Sequence, residues 1–157
     1  MKITDIDMPK QSFIYAAIHL LSNRLQTIGD RLDPTISSKQ WFLLAAISKF
    51  GEQAPNLGDI AKLLGTSRQN VKKIAIILER RGFLRIEKDK NDLRTVRLFL
   101  TEQCYSYFKS REQQEEEYEE RVFFGFGVEE LNILSSCMLK LIENIDTLLE
   151  SGINEES

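Results

Sequence analysis

The residues with the most chemistry to offer lie close together in sequence: Ser67, Arg68, Gln69, Asn70, Lys72 and Lys73. A guanidinium can pair bidentately with the O6/N7 edge of guanine, and Gln or Asn amides with the N6/N7 edge of adenine. A serine hydroxyl and two lysines are suited to phosphate oxygens. A second basic group, Lys88, Lys90 and Arg94, follows in the polar stretch KDKNDLRT. There Arg94 is of the type that enters a narrow minor groove, and Asp92 stands two residues before it as a partner that would direct it. The chemistry on offer is duplex recognition: base edges from the first group, backbone and minor groove from the second.

Charge distribution agrees. The chain has 157 residues and a net charge of −3, but the charge is segregated. Residues 56–100 hold eleven Lys/Arg against five Asp/Glu, a net +6, while residues 101–157 hold four against fourteen, a net −10. A basic module on an acidic scaffold is what a phosphate-reading protein presents. Other classes lack support. The sequence shows no nucleophile–base pair, phosphate loop or metal-ligand spacing, so no enzyme, cofactor or metal is expected. Cys104 and Cys137 are the two cysteines and His19 the single histidine, too few for a disulfide framework or a standard zinc site. Both thiols read as structural, with Cys137 buried beside an apolar stripe, and His19 reads as a packing residue. Apolar runs are cut by charges well short of the roughly 20 residues that span a bilayer. The MKITDIDMPK start has no secretory pattern, so a cytoplasmic protein is expected.

The elements that must hold these residues follow from periodicity. Residues 11–31 read as a helix, with Phe13, Ile14, Ala17, Ile18, Leu21, Leu25 and Ile28 on one face, stopped by Asp33-Pro34. Ser37 opens a second helix with Gln40 at capping-box spacing; Trp41, Leu44, Ile47 and Phe50 are its stripe and Gly51 its C-terminal cap. Asn56 caps a short helix over 57–64. Gly65 breaks it, Thr66 or Ser67 caps the next, and that helix runs to Arg81 with Val71, Ile74 and Leu78 buried; Gly82 ends it. The period then changes to two, over Leu84–Ile86 and Val96–Leu100, which predicts a β-hairpin with KDKNDLRT at its tip. Two further helices follow, about 101–122 and 128–150, separated by a bend at Phe123–Gly127. The first carries an acidic run from Glu112 to Glu120, read as a solvated face. The second has the cleanest stripe: Leu131, Leu134, Met138, Leu141, Ile142, Ile145, Leu148 and Leu149. Beyond it only the terminal NEES reads as disordered.

Residues 57–81 combine a small residue at the crossing (Ala61), a glycine turn and an apolar stripe, which is a helix-turn-helix arrangement. With the hairpin, the fold class is mainly α with a small β wing, a winged helix-turn-helix. The apolar faces of the first and last helices need partners, and a two-fold pairing of copies supplies them.

The segment LGDIAKLLGTSRQNVKKIAIILERRGFLRIEKDKNDLRTVRLFLT (57–101) resembles the MarR family of bacterial regulators. The resemblance extends over the whole chain through its order of helices, giving a single domain over 1–157. It implies a winged helix-turn-helix over 35–101 and dimerisation helices over 8–34 and 102–151, in a triangular dimer. The family's Asp-x-x-Asp-x-Arg wing pattern is matched by Asp89, Asp92 and Arg94. Leu93 stands where a basic residue is common, and Cys104 where a glycine is. The implied function is a sequence-specific DNA-binding transcriptional regulator, a repressor on a pseudo-palindromic operator. The partners are double-stranded DNA, a second copy and a small-molecule effector of unknown identity, with no membrane. Phe13, Tyr15, Trp41 and Phe42 would line an effector cavity, or serve as core. Some relatives sense oxidants through an N-terminal cysteine, which this first helix lacks. A winged-helix interaction module without DNA binding is the alternative.

Overall fold

A computed structural model describes residues 3, 6–51 and 53–152; the NEES terminus lies outside the described residues. The elements run α1 (Lys10–Leu32), α2 (Ser38–Ser48), α3 (Leu57–Leu63), α4 (Arg68–Arg80), β1 (Leu84–Lys88), β2 (Val96–Leu100), α5 (Glu102–Val122) and α6 (Val128–Glu150). Two compact units are distinguished, Met1–Ser110 and Arg111–Ser157. Among the described residues no helix is long and apolar enough to cross a membrane.

In the first unit the core gathers α2, α3, α4 and the hairpin. Leu43, Leu44, Ile60, Val71, Leu78 and Leu98 are fully enclosed, each side chain contributing about 1.5–3 kcal/mol of transfer free energy. Helix boundaries are fixed by side-chain caps that satisfy free N–H groups. At α2, the Ser37 side chain accepts from Gln40 N, and the Gln40 side chain accepts from Ser37 N at 3.1 Å. The helix ends at Ser48 with Lys49 as its cap, earlier than Gly51, which takes φ 57° in the following turn. The hairpin is antiparallel, pairing Leu84 with Leu100 and Lys88 with Val96.

The buried stripe of α4 is Val71, Ala75 and Leu78, not Val71, Ile74 and Leu78. Ala75 lies four residues after Val71 and so directly above it on the helix, while Ile74 is only partly covered at the edge of the core. Ile76 is half-buried and Ile77 is exposed.

Along α1 the side chains of Phe13, Ile14, Ile18, Leu21, Leu25 and Ile28 are exposed, and no residue of the helix is buried. His19 packs edge-on to Tyr15 with ring centroids 5.0 Å apart. Within the second unit, Leu134, Met138, Ile142, Ile145 and Leu148 of α6 are likewise exposed. Cys137 is exposed too, which corrects the expectation of a buried thiol. Among the described residues the stripe it flanks is exposed or half-buried. Cys104, at the start of α5, is fully buried.

Candidate nucleic-acid interface

The presentation of α4 begins in the loop before α3. The Asn56 side-chain oxygen accepts from Gly58 N at 2.6 Å and from Asp59 N at 3.0 Å, and Asp59 Oδ2 accepts from Asn56 N at 2.9 Å. This reciprocal cap fixes where α3 starts. α3 lasts seven residues and is capped by Leu64; Gly65 then takes φ 59°, a left-handed conformation that costs glycine nothing. Thr66 N closes the turn onto Ala61 O at 2.9 Å. Ala61 is buried.

Ser67 is the cap of α4: its Oγ accepts from Asn70 N at 3.2 Å. With Val71, Ala75 and Leu78 turned inward, the other face of the first turns is left outward. Ser67, Arg68, Gln69, Asn70, Lys72 and Lys73 are all exposed. Besides Ser67, two of these side chains contact the protein. Asn70 Nδ2 donates to Thr66 Oγ1 at 3.0 Å. The Arg68 guanidinium rests against Gly58, where a β-carbon would stand 3.1 Å from both Nε and Nη2. A side chain at position 58 would press on the end of this flexible arginine, which would have to give by a few tenths of an ångström.

In the wing, Lys88, Lys90, Asp92 and Arg94 are accessible to solvent at the hairpin tip. The pairing expected of Asp92 differs from the one found. Its Oδ1 accepts from the backbone N–H of Arg94 at 3.0 Å and its Oδ2 from Thr95 Oγ1 at 2.9 Å. Asp92 therefore shapes the turn and leaves the guanidinium of Arg94 unpaired among the described residues. One ion pair of the wing joins Asp89 to Arg97 at 2.6 Å, beside a second between Arg85 and Glu87 at 2.8 Å. Arg97, together with the N–H groups of Asn91 and Asp92, holds the Asp89 carboxyl below its ordinary pKa. Sequence reading misses Arg97 because strand alternation marks it only as outward-facing. Its one sequence signal is an Arg eight residues after an Asp across a hairpin turn.

Wing and α4 are also joined at the other end of the hairpin. Glu79 Oε1 accepts from Ile86 N at 2.8 Å, and Thr101 Oγ1 donates to Gly82 O at 2.6 Å. The two cationic groups thus project from one compact unit.

Residues 36–96 match the family model described as MarR family. Over that segment the chain is similar to the MarR family. Curated relatives include the transcriptional activatory protein BadR of Rhodopseudomonas palustris, 23% identical over 155 residues, covering 96% of this chain and 89% of BadR. The transcriptional repressor MprA of Escherichia coli is 22% identical over 150 residues, covering 94% of this chain and 85% of MprA. Among solved structures, a MarR/EmrR family regulator from Acinetobacter superposes with a TM-score of 0.77 at 20% identity, covering 89% of this chain and 99% of that one. A mutant of MarR from E. coli, solved in complex with operator DNA, gives a TM-score of 0.73 at 16% identity, covering 82% of this chain and 92% of that one. At such identities the likeness of this chain to the solved structures is one of fold: a winged helix-turn-helix.

Phe13, Tyr15, Trp41 and Phe42 are the four aromatic candidates for an effector site. Trp41 and Phe42 meet edge-on at 5.3 Å, while Tyr15 packs on His19. A shallow cavity of about 100 Å³ has Ile47, Pro55, Arg85, Leu98 and Tyr105 in its lining and none of those four. It is smaller than the ~300–1,000 Å³ usual for a small-molecule site. Among the described residues no group of three or more His, Cys, Asp or Glu is placed to hold a metal ion.

Proposed function

We propose that this protein is a sequence-specific DNA-binding transcriptional regulator that occupies a pseudo-palindromic operator as a homodimer. The observation that carries this reading is the outward row Ser67, Arg68, Gln69, Asn70, Lys72 and Lys73 on the first turns of α4, on the same unit as the wing cations Lys88, Lys90 and Arg94. The N-terminal end of such a helix enters a major groove. Arg68 and Gln69 read base edges; Ser67, Lys72 and Lys73 hold phosphates; Asn70 offers its carbonyl. Asp92 shapes the wing turn, and Arg94 reaches the minor groove.

The homodimer rests on the exposed apolar rows of α1 and α6. Exposed apolar stripes of this length are uncommon on a soluble monomer. Covering both with a second copy would place two α4 helices about 34 Å apart, one turn of B-DNA. We take 35–101 as the DNA-binding region and 8–34 with 102–151 as the dimerisation helices, in a protein of the cytoplasm. Repression follows when the occupied site overlaps a promoter; of the relatives, one is named a repressor and one an activator. A small-molecule effector is part of this reading, its identity unassigned.

The test is selection of duplexes from a randomised pool by the full chain, followed by titration of the enriched sequence. We expect an inverted repeat with half-sites one turn apart, and a log–log salt slope of about −0.9 per phosphate neutralised. A monomer that enriches no sequence and ignores every duplex at moderate salt would sink the reading.

A further inference from the structure

One arginine of the wing, Arg97, links the hairpin tip to the loop before α3. Its partner Asp89 uses its two oxygens differently. Oδ1 accepts from Asn91 N at 2.8 Å and Asp92 N at 3.0 Å, closing the turn at the tip. Oδ2 receives Arg97 Nε at 2.6 Å. The same guanidinium donates through Nη1 to Ala54 O at 3.0 Å. The backbone of Arg97 forms an antiparallel bridge with Asn56, and Leu98 N donates to Pro55 O at 3.0 Å. Asn56 is the residue that caps α3 and adjoins the seat of Arg68. A continuous run of polar contacts therefore connects the tip that carries Arg94 with the loop that sets the start of the helix-turn-helix.

We propose that the Asp89–Arg97 pair is a positioning device that holds the wing at a fixed distance from α4, so that Arg94 reaches its groove while α4 occupies the neighbouring one. This rests on the DNA-binding reading given above. Two simpler roles are available, and each makes a different prediction. If Arg97 were a phosphate contact, its charge alone would matter. If the pair only stabilised the fold, it would contribute little, since partly exposed ion pairs do; here the side chains of Arg97 and Asp89 are 36% and 14% accessible.

Position and charge are separable because they give effects of opposite sign at Asp89. By charge alone, Asp89→Asn removes an anion from an element facing DNA and strengthens binding. By position, it weakens binding, because an amide oxygen is a poorer acceptor for the guanidinium. At Arg97, Arg97→Lys keeps the charge but loses the planar fork that serves Asp89 and Ala54 together.

The experiment measures affinity of the full chain for its selected duplex, well below each variant's thermal midpoint, for wild type, Asp89→Asn, Arg97→Lys, Arg94→Ala and Asp89→Asn combined with Arg94→Ala. Asp89→Asn and Arg97→Lys are each expected to weaken binding about tenfold, the scale of one lost wing contact. Arg94→Ala is expected to cost about tenfold in wild type but under about threefold once Asp89 is changed, because the misplaced wing has already lost the contact. The cycle keeps the test readable even if a single variant is less stable. Equal or tighter binding by Asp89→Asn, full affinity in Arg97→Lys, or an undiminished Arg94→Ala penalty overturns the positioning role alone. A wild-type chain that binds no duplex takes the DNA-binding reading down and this role with it.

Discussion

The hydroxyl of Tyr107 donates to the carboxylate of Asp33, 74 residues away in sequence. Asp33 caps the end of α1 and also accepts from Thr35 N at 2.6 Å, while the ring of Tyr107 packs edge-on to Phe83 at 5.3 Å. One side chain of α5 thus touches both the α1–α2 junction and the residue that leads into β1. Removing the hydroxyl withdraws a donor from a buried carboxylate, which costs about 1–3 kcal/mol. Tyr107→Phe is expected to lower urea-unfolding stability by that amount, with duplex affinity at room temperature nearly unchanged. A variant as stable as wild type would show that the bond is dispensable.

Arg68 and Lys72 stand one turn apart on α4 and are expected to fail differently. Arg68→Ala should relax discrimination at one base pair per half-site, costing about 1–3 kcal/mol on the preferred sequence and less on others. Lys72→Ala should weaken binding to all sequences alike and reduce the salt slope by about one. Titrations of matched and mismatched duplexes at several salt concentrations separate these patterns. If Arg68→Ala left base preference untouched, its guanidinium would be a backbone contact.

Cys104 bears on both pH and reactivity. Burial pushes its thiol up from 9.0 to about 11. The thiolate is the nucleophile, so the folded chain should present about 100-fold less of it than an ordinary cysteine at neutral pH. Thiol labelling should reach Cys104 only on unfolding. The linkage has a definite sign: the folded pKa is raised, so the stabilisation is complete below pH 9.0 and is lost as pH rises toward about 11. Rapid modification of Cys104 in the native protein near neutral pH would contradict this burial.

The dimer reading turns on Leu21 of α1 and Ile142 of α6, both about half exposed in one chain. A carboxylate at either position would be buried against apolar neighbours on pairing, at a cost of several kcal/mol. Leu21→Asp and Ile142→Asp are each expected to shift sedimentation from dimer to monomer. Duplex affinity should fall at least about 100-fold as the second α4 is lost. Unchanged sedimentation in both variants would place the interface elsewhere.

Much of this is legible from spacing alone. The caps Ser37, Asn56 and Ser67 announce their helices, because such residues satisfy free N–H groups at those sites. The change from period 3.6 to period 2 at Gly82 locates the hairpin, and subtraction of the buried stripe exposes the face of α4. What stays hidden depends on partners distant in sequence or on geometry finer than period. Tyr107 reads as one aromatic among several until Asp33 is beside it. Arg97 and Arg94 look alike on a basic strand, yet Arg97 pairs inward with Asp89 while Arg94 stays outward at the tip. Hydrophobicity points to Ile74, the larger side chain, while the face shared with Val71 and Leu78 buries Ala75. Cys137 flanks a stripe whose interior a single chain does not provide.

The hydroxyl of Ser67 uses its oxygen to receive Asn70 N, so its proton remains available to something outside the protein. Under the proposed DNA-binding reading, the oxygen that begins α4 is also equipped to grip a phosphate, and of the other good capping side chains only threonine brings both a lone pair for the helix and a hydroxyl hydrogen for a duplex. Asparagine or aspartate would start the helix equally well, yet aspartate would turn toward the DNA with a repelling charge, and alanine would fail both partners at once.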